Sequence, residues 1–432
     1  MLTVSLLHGA VPFAVVGLAL AGLGWLIAAR GRRWWLRLLP LAVVLAAIGT
    51  TGIVLAVEKV WRPFPDALPP EVVVSGGLGV FALVAAVVRI ASTRSWWQRA
   101  ALPLAAILVL VGAASEINRY YAEFPTAGAL MQVPLPNQIS LAKLGTAAQV
   151  ITPPPGGTIA SVWHAPADLP AHGAVVADAA IPATVSGFHA RKAFVYLPPA
   201  YLTTPRAELP VLVLTSGTPG SPHDWFGAGL LSERLDRFAA AHHGLAPVVV
   251  VPDILGSAFA NPLCLDSKLG KAATYLDVDV PAWIHSALQV DPDSRHWSVG
   301  GLSSGGTCAL QAGIRSPKTF PTILDISGQD EPTLGGHART VKATFGGDNA
   351  KFRAVSPLVQ LAHTKLPGSA AMLTAGNKDK IYGPQQKRVL AALRKDGVPA
   401  QFTTVPGAHS WSVFGPALEK SLPWLASRLG LA

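Results

Sequence analysis

The chain has 432 residues, of which 50% are hydrophobic and only 13% are charged. This composition is unusually apolar for a soluble protein and indicates that part of the chain lies in a membrane. The formal net charge of +10 divides evenly between the first 117 residues and the rest, and no basic tract is interleaved with aromatic residues. We therefore expect no nucleic-acid-binding surface.

Four apolar runs fill the first quarter of the chain, at about residues 12–29, 38–57, 72–88 and 101–117. Each approaches the roughly 17–25 residues that a helix needs to cross a bilayer. Buried helices of a soluble core are the less favoured alternative. Acidic residues lie only at the ends of the runs, so the helices resemble an anchor more than a transport path. We predict a four-helix transmembrane domain over residues 1–117.

Arginines predict the orientation of these helices. The connections "RGRRWWLR" and "RIASTRSWWQR" carry arginines and no acidic residue, which places both in the cytoplasm by the positive-inside rule. Both chain termini then lie outside. We expect a multi-pass protein of the plasma membrane, with the remainder of the chain extracytoplasmic.

Residues 118–171 are rich in Pro, Gly, Thr and Ala, which predicts a linker. From residue 172 onward, apolar runs typical of buried strands alternate with helical patterns. The predicted strands lie in "GAVVADAAI", "KAFVYL", "PVLVLTSG", "APVVVVPD", "HWSVGGLS", "PTILDISG", "AAMLTAG" and "AQFTTVPGAHS". The pattern predicts a mostly parallel α/β domain over residues 172–432, beginning with an antiparallel hairpin.

Two cysteines, Cys264 and Cys308, follow the predicted spans and so lie on the oxidising side of the membrane. A disulfide between them and a pair of buried free thiols are both compatible with the sequence. Neither cysteine has a spacing that suggests a metal site, and we expect no metal and no cofactor.

The stretch "GGLSSGGTCAL" contains a candidate nucleophile. A tight strand-to-helix turn needs small residues two positions before and two after the nucleophile, which the pattern G-x-S-x-G records. Ser303 has Gly301 and Gly305 at those positions, whereas Ser304 would have a leucine at the first of them. Ser303 is therefore the predicted nucleophile, and a plain glycine-rich turn is the alternative.

A serine hydroxyl needs a base to take its proton and an acid to orient that base. His409, in "PGAHSW" after the last predicted strand, is the expected base, because the histidine comes last in chains of this architecture. The acid should follow a late strand. Asp379 in "TAGNKDKIY" fits that position, and Asp325, after "PTIL", remains an alternative.

Two backbone N–H groups are needed to stabilise an oxyanion. Ser304 supplies one as the residue after the nucleophile, and Thr218 in "TSGTPGS" is the candidate for the other. Trp225 and Trp411, near this loop and near His409, either line an apolar substrate pocket or belong to the core.

These motifs resemble the esterase D-like branch of α/β hydrolases, which includes the secreted mycolyltransferases of mycobacteria. The resemblance covers residues 172–432 and rests on "GGLSSGGTCAL" and "PGAHSWSVFGPAL". It implies an α/β-hydrolase fold, Ser303 as nucleophile, His409 as base, Asp379 as acid, and Thr218 with Ser304 as oxyanion donors. The chain departs from it in its four spans, and in "SG" at residues 216–217 where many hydrolases have "HG".

Three functions are compatible with this reading. The first is a membrane-anchored serine esterase that acts outside the cytoplasm on an ester, such as a lipid or aminoacyl-lipid ester, at the outer membrane surface. The second is a cell-envelope acyltransferase, similar to mycolyltransferases, that uses the same triad. The third is an inactive binding module, which would lack at least one triad residue.

Overall fold

The structure is a computed structural model that describes residues 3–62 and 66–431. Its contacts divide the chain into two compact units, Met1–Val133 and Pro134–Ala432. Residues 118–133 of the predicted linker thus belong to the first unit, and residues 134–171 belong to the second.

Four helices of the first unit are long and apolar enough to cross a membrane, and each overlaps one predicted apolar run. They are α1 (Ala10–Ile27), α2 (Trp34–Trp61), α3 (Pro70–Ser92) and α4 (Trp96–Tyr121). The prediction of four apolar helices is confirmed. Helices α2 to α4 extend beyond the runs, because a helix continues through interfacial tryptophans and arginines while the apolar pattern marks only its hydrocarbon part.

Small residues allow these helices to approach one another closely. Helix α4 packs against both α1 and α3. A Cβ on Gly112 in α4 would lie 2.3 Å from the Cβ of Ala19 in α1, so only glycine fits there. Alanines and leucines of α1, α3 and α4 form the buried core of this unit, including Leu26, Ala82 and Leu102. Such packing of small residues is typical of helices that associate in membranes.

The second unit is built on an eight-stranded sheet, and its described residues also form two short two-stranded sheets, Val150–Ile151 with Arg206–Ala207 and Asp266–Ser267 with Gly270–Lys271. The strands of the large sheet are β1 (Ala174–Ala179), β2 (Ala193–Leu197), β3 (Val211–Thr215), β4 (Val248–Val251), β5 (Trp297–Leu302), β6 (Thr322–Ile326), β7 (Ala370–Gly376) and β8 (Ala400–Val405). Their order is β8-β7-β6-β5-β3-β4-β2-β1. Only β2 pairs antiparallel, with β1 and β4, and the other pairs are parallel. Each strand coincides with a predicted one, which confirms the predicted fold class.

Helices connect the strands of this sheet, and a final helix follows β8. The longer ones are α5 (Leu231–Ala241), α6 (Val280–Ala287), α7 (Ser304–Arg315), α8 (His337–Phe345), α9 (Asn349–Val355), α10 (Tyr382–Lys395) and α11 (Trp411–Leu429). Shorter helices are Ala127–Leu130 in the first unit and Leu141–Leu144, Asp224–Gly227 and Pro357–Leu361 in the second. The parallel strands β5 to β8 direct their carboxyl ends to one edge of the sheet, where the loops that follow them meet.

A disulfide joins Cys264, in the loop region after β4, to Cys308 in α7, with a Cα–Cα distance of 5.3 Å. Both residues are buried. Of the two states left open by the sequence, the structure contains the bridge. It fastens the long β4–α6 connection to the helix that begins directly after Ser303.

Candidate active site

Ser303 forms the turn between β5 and α7. Its φ of 54° and ψ of −124° lie in a region that non-glycine residues adopt only under strain, at a cost of about 1–3 kcal/mol. A Cβ on Gly301 would lie 2.3 Å from the Gly305 carbonyl oxygen, and one on Gly305 would lie 2.6 Å from the Ser216 carbonyl oxygen. The turn therefore requires glycine at both positions of the G-x-S-x-G pattern.

Three side chains singled out by the sequence form a hydrogen-bonded row. The Nε2 atom of His409 lies 2.9 Å from the Ser303 hydroxyl oxygen, and its Nδ1 atom lies 3.1 Å from Asp379 Oδ2. An ionised carboxylate only accepts hydrogen bonds, so we assign the proton to Nδ1, which leaves Nε2 to accept from the hydroxyl. The three residues follow β5, β7 and β8, and they meet because the carboxyl ends of these parallel strands share one edge.

The surroundings of Asp379 favour its charged form. Burial by itself raises the pKa of this carboxyl, but the hydrogen bond and charge of His409 lower it, as do the backbone N–H groups of Tyr382 and Ile381. Those N–H groups lie 2.8 and 3.2 Å from Asp379 Oδ1. The net result is a pKa below the ordinary value, so Asp379 is an anion at neutral pH and can stabilise a protonated imidazole beside it.

Aromatic rings hold the imidazole of His409 in place. The Tyr382 ring stacks on it at a centroid distance of 4.1 Å, and the Phe414 ring meets it edge-on at 4.9 Å. Tyr382 thus both packs on the base and donates its N–H to the acid. Sequence reasoning missed this role, although its position three residues after Asp379 was a usable signal.

Two backbone N–H groups beside Ser303 are free. Among residues 3–62 and 66–431, neither the N–H of Ser304 nor that of Thr218 has a hydrogen-bond acceptor. The two side chains touch, because the Ser304 hydroxyl donates to Thr218 Oγ1 at 3.2 Å. A Cβ on Gly217 would lie 3.2 Å from the Ser303 Cβ, so the loop that carries Thr218 contacts the nucleophile candidate.

Polar contacts fix this loop, and the sequence did not reveal most of them. The Ser216 hydroxyl donates to the Ser221 carbonyl at 2.8 Å, which gives a role to the serine that replaces the histidine of many hydrolases. Arg191 Nη2 donates to the Gly220 carbonyl at 2.9 Å and pairs with the buried carboxylate of Asp253 at 2.8 Å. Hydrogen bonds from a side chain of the loop itself and from Arg191 outside it therefore hold the loop backbone in place.

The two tryptophans require a correction, since the structure places them in the core rather than on an open pocket wall. Trp225 has 0% of its surface exposed, and its indole N–H donates to the Thr215 carbonyl at 3.2 Å. Trp411, 9% exposed, packs edge-on against Trp225 at 5.4 Å. Both indoles are therefore covered by protein and leave little surface for a substrate to contact.

Asp325, the alternative acid, makes no contact with His409. Its carboxylate is completely buried, where it accepts from the Gly328 N–H and from Gln386 Nε2, each at 2.9 Å. Burial raises its pKa to about 7, against the smaller opposing effect of these two hydrogen bonds. Asp325 also belongs to no metal-binding group, since no cluster of three or more His, Cys, Asp or Glu side chains in the described ranges is placed to hold an ion.

Comparison with known proteins assigns the second unit to a family. The family model named Esterase, described as "Putative esterase", matches residues 188–425. An uncharacterised protein of Corynebacterium glutamicum is 37% identical over 400 residues, which cover 90% of this chain and 89% of that protein. A match of this length cannot be confined to the second unit, so the relative also shares sequence with the helical one.

Solved structures show the same fold. A ferulic acid esterase superposes with a TM-score of 0.52 at 22% identity, over 60% of this chain and 99% of its own. An S-formylglutathione hydrolase from Agrobacterium tumefaciens superposes with a TM-score of 0.50 at 19% identity, over 60% of this chain and 97% of its own. At such identities the likeness establishes the α/β-hydrolase fold and leaves the substrate undefined.

Proposed function

The chain belongs to the Esterase family of α/β hydrolases, and we propose that it is a membrane-anchored serine esterase acting outside the cytoplasm. The observation that carries this proposal is the hydrogen-bonded row of Ser303, His409 and Asp379 at one edge of the sheet. An inactive binding module would tolerate the loss of any of these side chains. The presence of all three in contact therefore favours an enzyme.

In the proposed reaction, His409 Nε2 takes the hydroxyl proton of Ser303 while the serine oxygen attacks the ester carbonyl carbon. The carbonyl oxygen becomes an oxyanion, to which the N–H groups of Ser304 and Thr218 donate. Collapse of this intermediate breaks the bond to the alcohol, and His409 returns the proton to the departing oxygen. Asp379 stabilises the imidazolium formed between these steps. Water then attacks the acyl-enzyme by the same route and releases the acid.

Labelling with a fluorophosphonate probe tests this mechanism directly. The full-length protein, Ser303→Ala and Ser304→Ala are incubated with the probe and their intact masses are measured. We expect adducts on the wild type and on Ser304→Ala, and none on Ser303→Ala. An unlabelled but folded wild type would exclude an activated serine, and a label retained by Ser303→Ala would place the nucleophile elsewhere.

The apolar helices support the membrane part of the proposal. Anchoring would keep the catalytic unit beside a bilayer, which favours an ester held there, such as a lipid or aminoacyl-lipid ester at the outer surface. The disulfide is consistent with an oxidising compartment. The orientation part of the proposal rests on the arginine-rich connections before α2 and before α4, which the positive-inside rule predicts to be cytoplasmic.

Cysteine labelling tests this orientation. Cys264 and Cys308 are bonded to each other, so they contribute no background reaction with a maleimide. A membrane-impermeant maleimide applied to intact cells should modify Lys351→Cys, at an exposed site in the catalytic unit, and should reach Ser95→Cys only after lysis. The reverse pattern would place the catalytic unit in the cytoplasm.

A further inference from the structure

A cleft of about 540 Å³ lies within the segment that connects β6 to β7. Its lining consists of Asp330, Glu331, His337, Arg353, Ser356, Leu358 and Val359, and these residues define what we call the β6–β7 cleft. Clefts that hold small ligands have volumes of roughly 300–1,000 Å³. None of the lining residues belongs to the proposed triad or to its oxyanion donors.

The cleft adjoins the elements that carry the triad. Gln329, which precedes the first lining residue, exchanges hydrogen bonds of 2.7 and 2.9 Å with Thr307 in α7, one turn after Ser303. On the other side, the Asp330 N–H donates to the Gln385 side chain of α10 at 3.2 Å. The first residue of α10, Tyr382, stacks on His409. The cleft is therefore connected by hydrogen bonds to α7, which begins directly after Ser303, and to α10, whose first residue contacts His409.

Charges in the cleft leave one cation without a partner. The Asp330 carboxylate pairs with Arg388 Nε at 2.5 Å, and Glu331 accepts from His337 Nδ1 at 2.8 Å. His337 Nε2 faces the side-chain oxygen of Asn349 at 3.0 Å. With both ring nitrogens directed at acceptors, chiefly the Glu331 carboxylate, the pKa of His337 is raised and the protonated ring is favoured.

Arg353 is the remaining charged group. Within the described residues its exposed guanidinium has neither a carboxylate nor a carbonyl as a partner. Asp330 and Glu331 each contact a basic side chain, Arg388 and His337 respectively, so Arg353 is the one charged lining residue left without a partner among the described residues. A guanidinium of this kind binds phosphate or carboxylate oxygens through paired N–H groups. The apolar side chains of Leu358 and Val359 complete the wall and suit the uncharged part of such a ligand.

We propose that the β6–β7 cleft binds the phosphate group of a phosphate-bearing ester substrate, and that Arg353 recognises this group. The proposal rests on the esterase function proposed above and narrows its substrate class. It makes Arg353 a specificity-determining residue that contributes to binding and takes no part in proton transfer.

A matched pair of substrates tests the proposal with the full-length protein in detergent micelles. The esters are 1-butyrylglycerol 3-phosphate and 1-butyrylglycerol, which differ only in the phosphate. We expect Arg353→Gln to raise KM for the phosphate ester about tenfold, the size of one charge-assisted contact, and to leave kcat and the neutral ester unchanged. Lys351→Gln is the control, since Lys351 lies on the same helix, outside the cleft, 3.6 Å from Asp348. It should change neither ester's kinetics.

Several kinetic results would overturn the proposal. Equal KM values of the wild type for the two esters would mean that the phosphate is not recognised. Equal losses on both esters in Arg353→Gln would indicate a general defect. Equal effects of Arg353→Gln and Lys351→Gln would indicate that the positive charge of the surface acts on the substrate generally and that the cleft contains no specific phosphate site.

Binding of glycerol 3-phosphate to full-length Ser303→Ala, measured by titration calorimetry, separates this proposal from the proposed function. Arg353-dependent binding without turnover of either ester would support the cleft and contradict the esterase. Turnover of both esters without Arg353-dependent binding would support the esterase and contradict the cleft. Inorganic phosphate that binds as tightly as glycerol 3-phosphate would contradict recognition of a substrate headgroup and indicate a site for the free anion.

Discussion

Replacing each candidate acid by its amide should identify the one that serves the proposed triad. In Asp379→Asn, the backbone N–H groups of Ile381 and Tyr382 hold the side-chain oxygen that replaces Oδ1. The amide NH₂ then faces His409 Nδ1 across the 3.1 Å contact and donates to it. The imidazole proton moves to Nε2, which can no longer accept the proton of Ser303. The substitution therefore leaves the shape of the site intact and removes its base.

The expected size follows from this change of tautomer. A triad with its imidazole in the wrong tautomer loses kcat by a factor on the order of 10⁴, or about 5 kcal/mol of barrier. Asp325→Asn should change kcat by less than about tenfold, because its carboxylate contacts Gly328 and Gln386 and lies away from His409. Hydrolysis of p-nitrophenyl butyrate measures both, with thermal unfolding as the control for folding. A large loss in Asp325→Asn beside an active Asp379→Asn would refute the assignment.

Three further predictions concern stability. Gly301→Ala should lower the unfolding free energy by about 1–3 kcal/mol and abolish probe labelling, because its Cβ would lie 2.3 Å from the Gly305 carbonyl oxygen; an unchanged Tm and activity would contradict this. Reducing the Cys264–Cys308 bridge, which spans 44 residues, should cost about 4 kcal/mol in a denaturant titration, and an unchanged midpoint would contradict it. Asp325 has a folded-state pKa of about 7 against an ordinary 3.8, so the folded protein retains a proton that the unfolded chain loses, and stability falls as pH rises through that window. Asp325→Asn should remove about 2 kcal/mol of this decline between about pH 5 and 7, and parallel pH profiles of variant and wild type would contradict the assignment.

Strand positions were predictable because burial on both faces leaves a continuous apolar run. Strand β4 is four valines, all buried, and β3 and β6 are equally covered. The order of Ser303, Asp379 and His409 along the chain was readable for the same reason, since each follows a recognisable strand. A continuous apolar run therefore lets the sequence predict both the strand and the residues that follow it.

Some helices and the position of Trp225 could not be predicted from the sequence, and each case has a physical reason. Helix α11 contains Pro416 and Pro423, which normally argue against a helix interior. The helices between β6 and β7 have nine, seven and five residues, too few for a helical period to stand out in the sequence. The position of Trp225 in the core depends on tertiary packing, because an aromatic residue beside a loop has the same local sequence whether it faces a substrate or the interior.

Asp325 and Asp379 differ in their position relative to the end of a strand, and this difference determines which of them can contact His409. Asp325 lies inside β6, in register with Gly301 of β5, so the alternation of the strand directs it to the face that α7 covers. A Cβ on Gly306 of α7 would lie 2.4 Å from Asp325 Oδ1, which shows how completely the helix closes over it. Asp379 instead comes three residues after β7 ends, in a loop that reaches the histidine after β8. A carboxylate within a strand is buried by the layer above it, whereas one just past the strand can meet side chains from neighbouring loops. In this chain, the position relative to the end of the apolar run separates the two candidates, because Asp379 lies past that end and Asp325 does not.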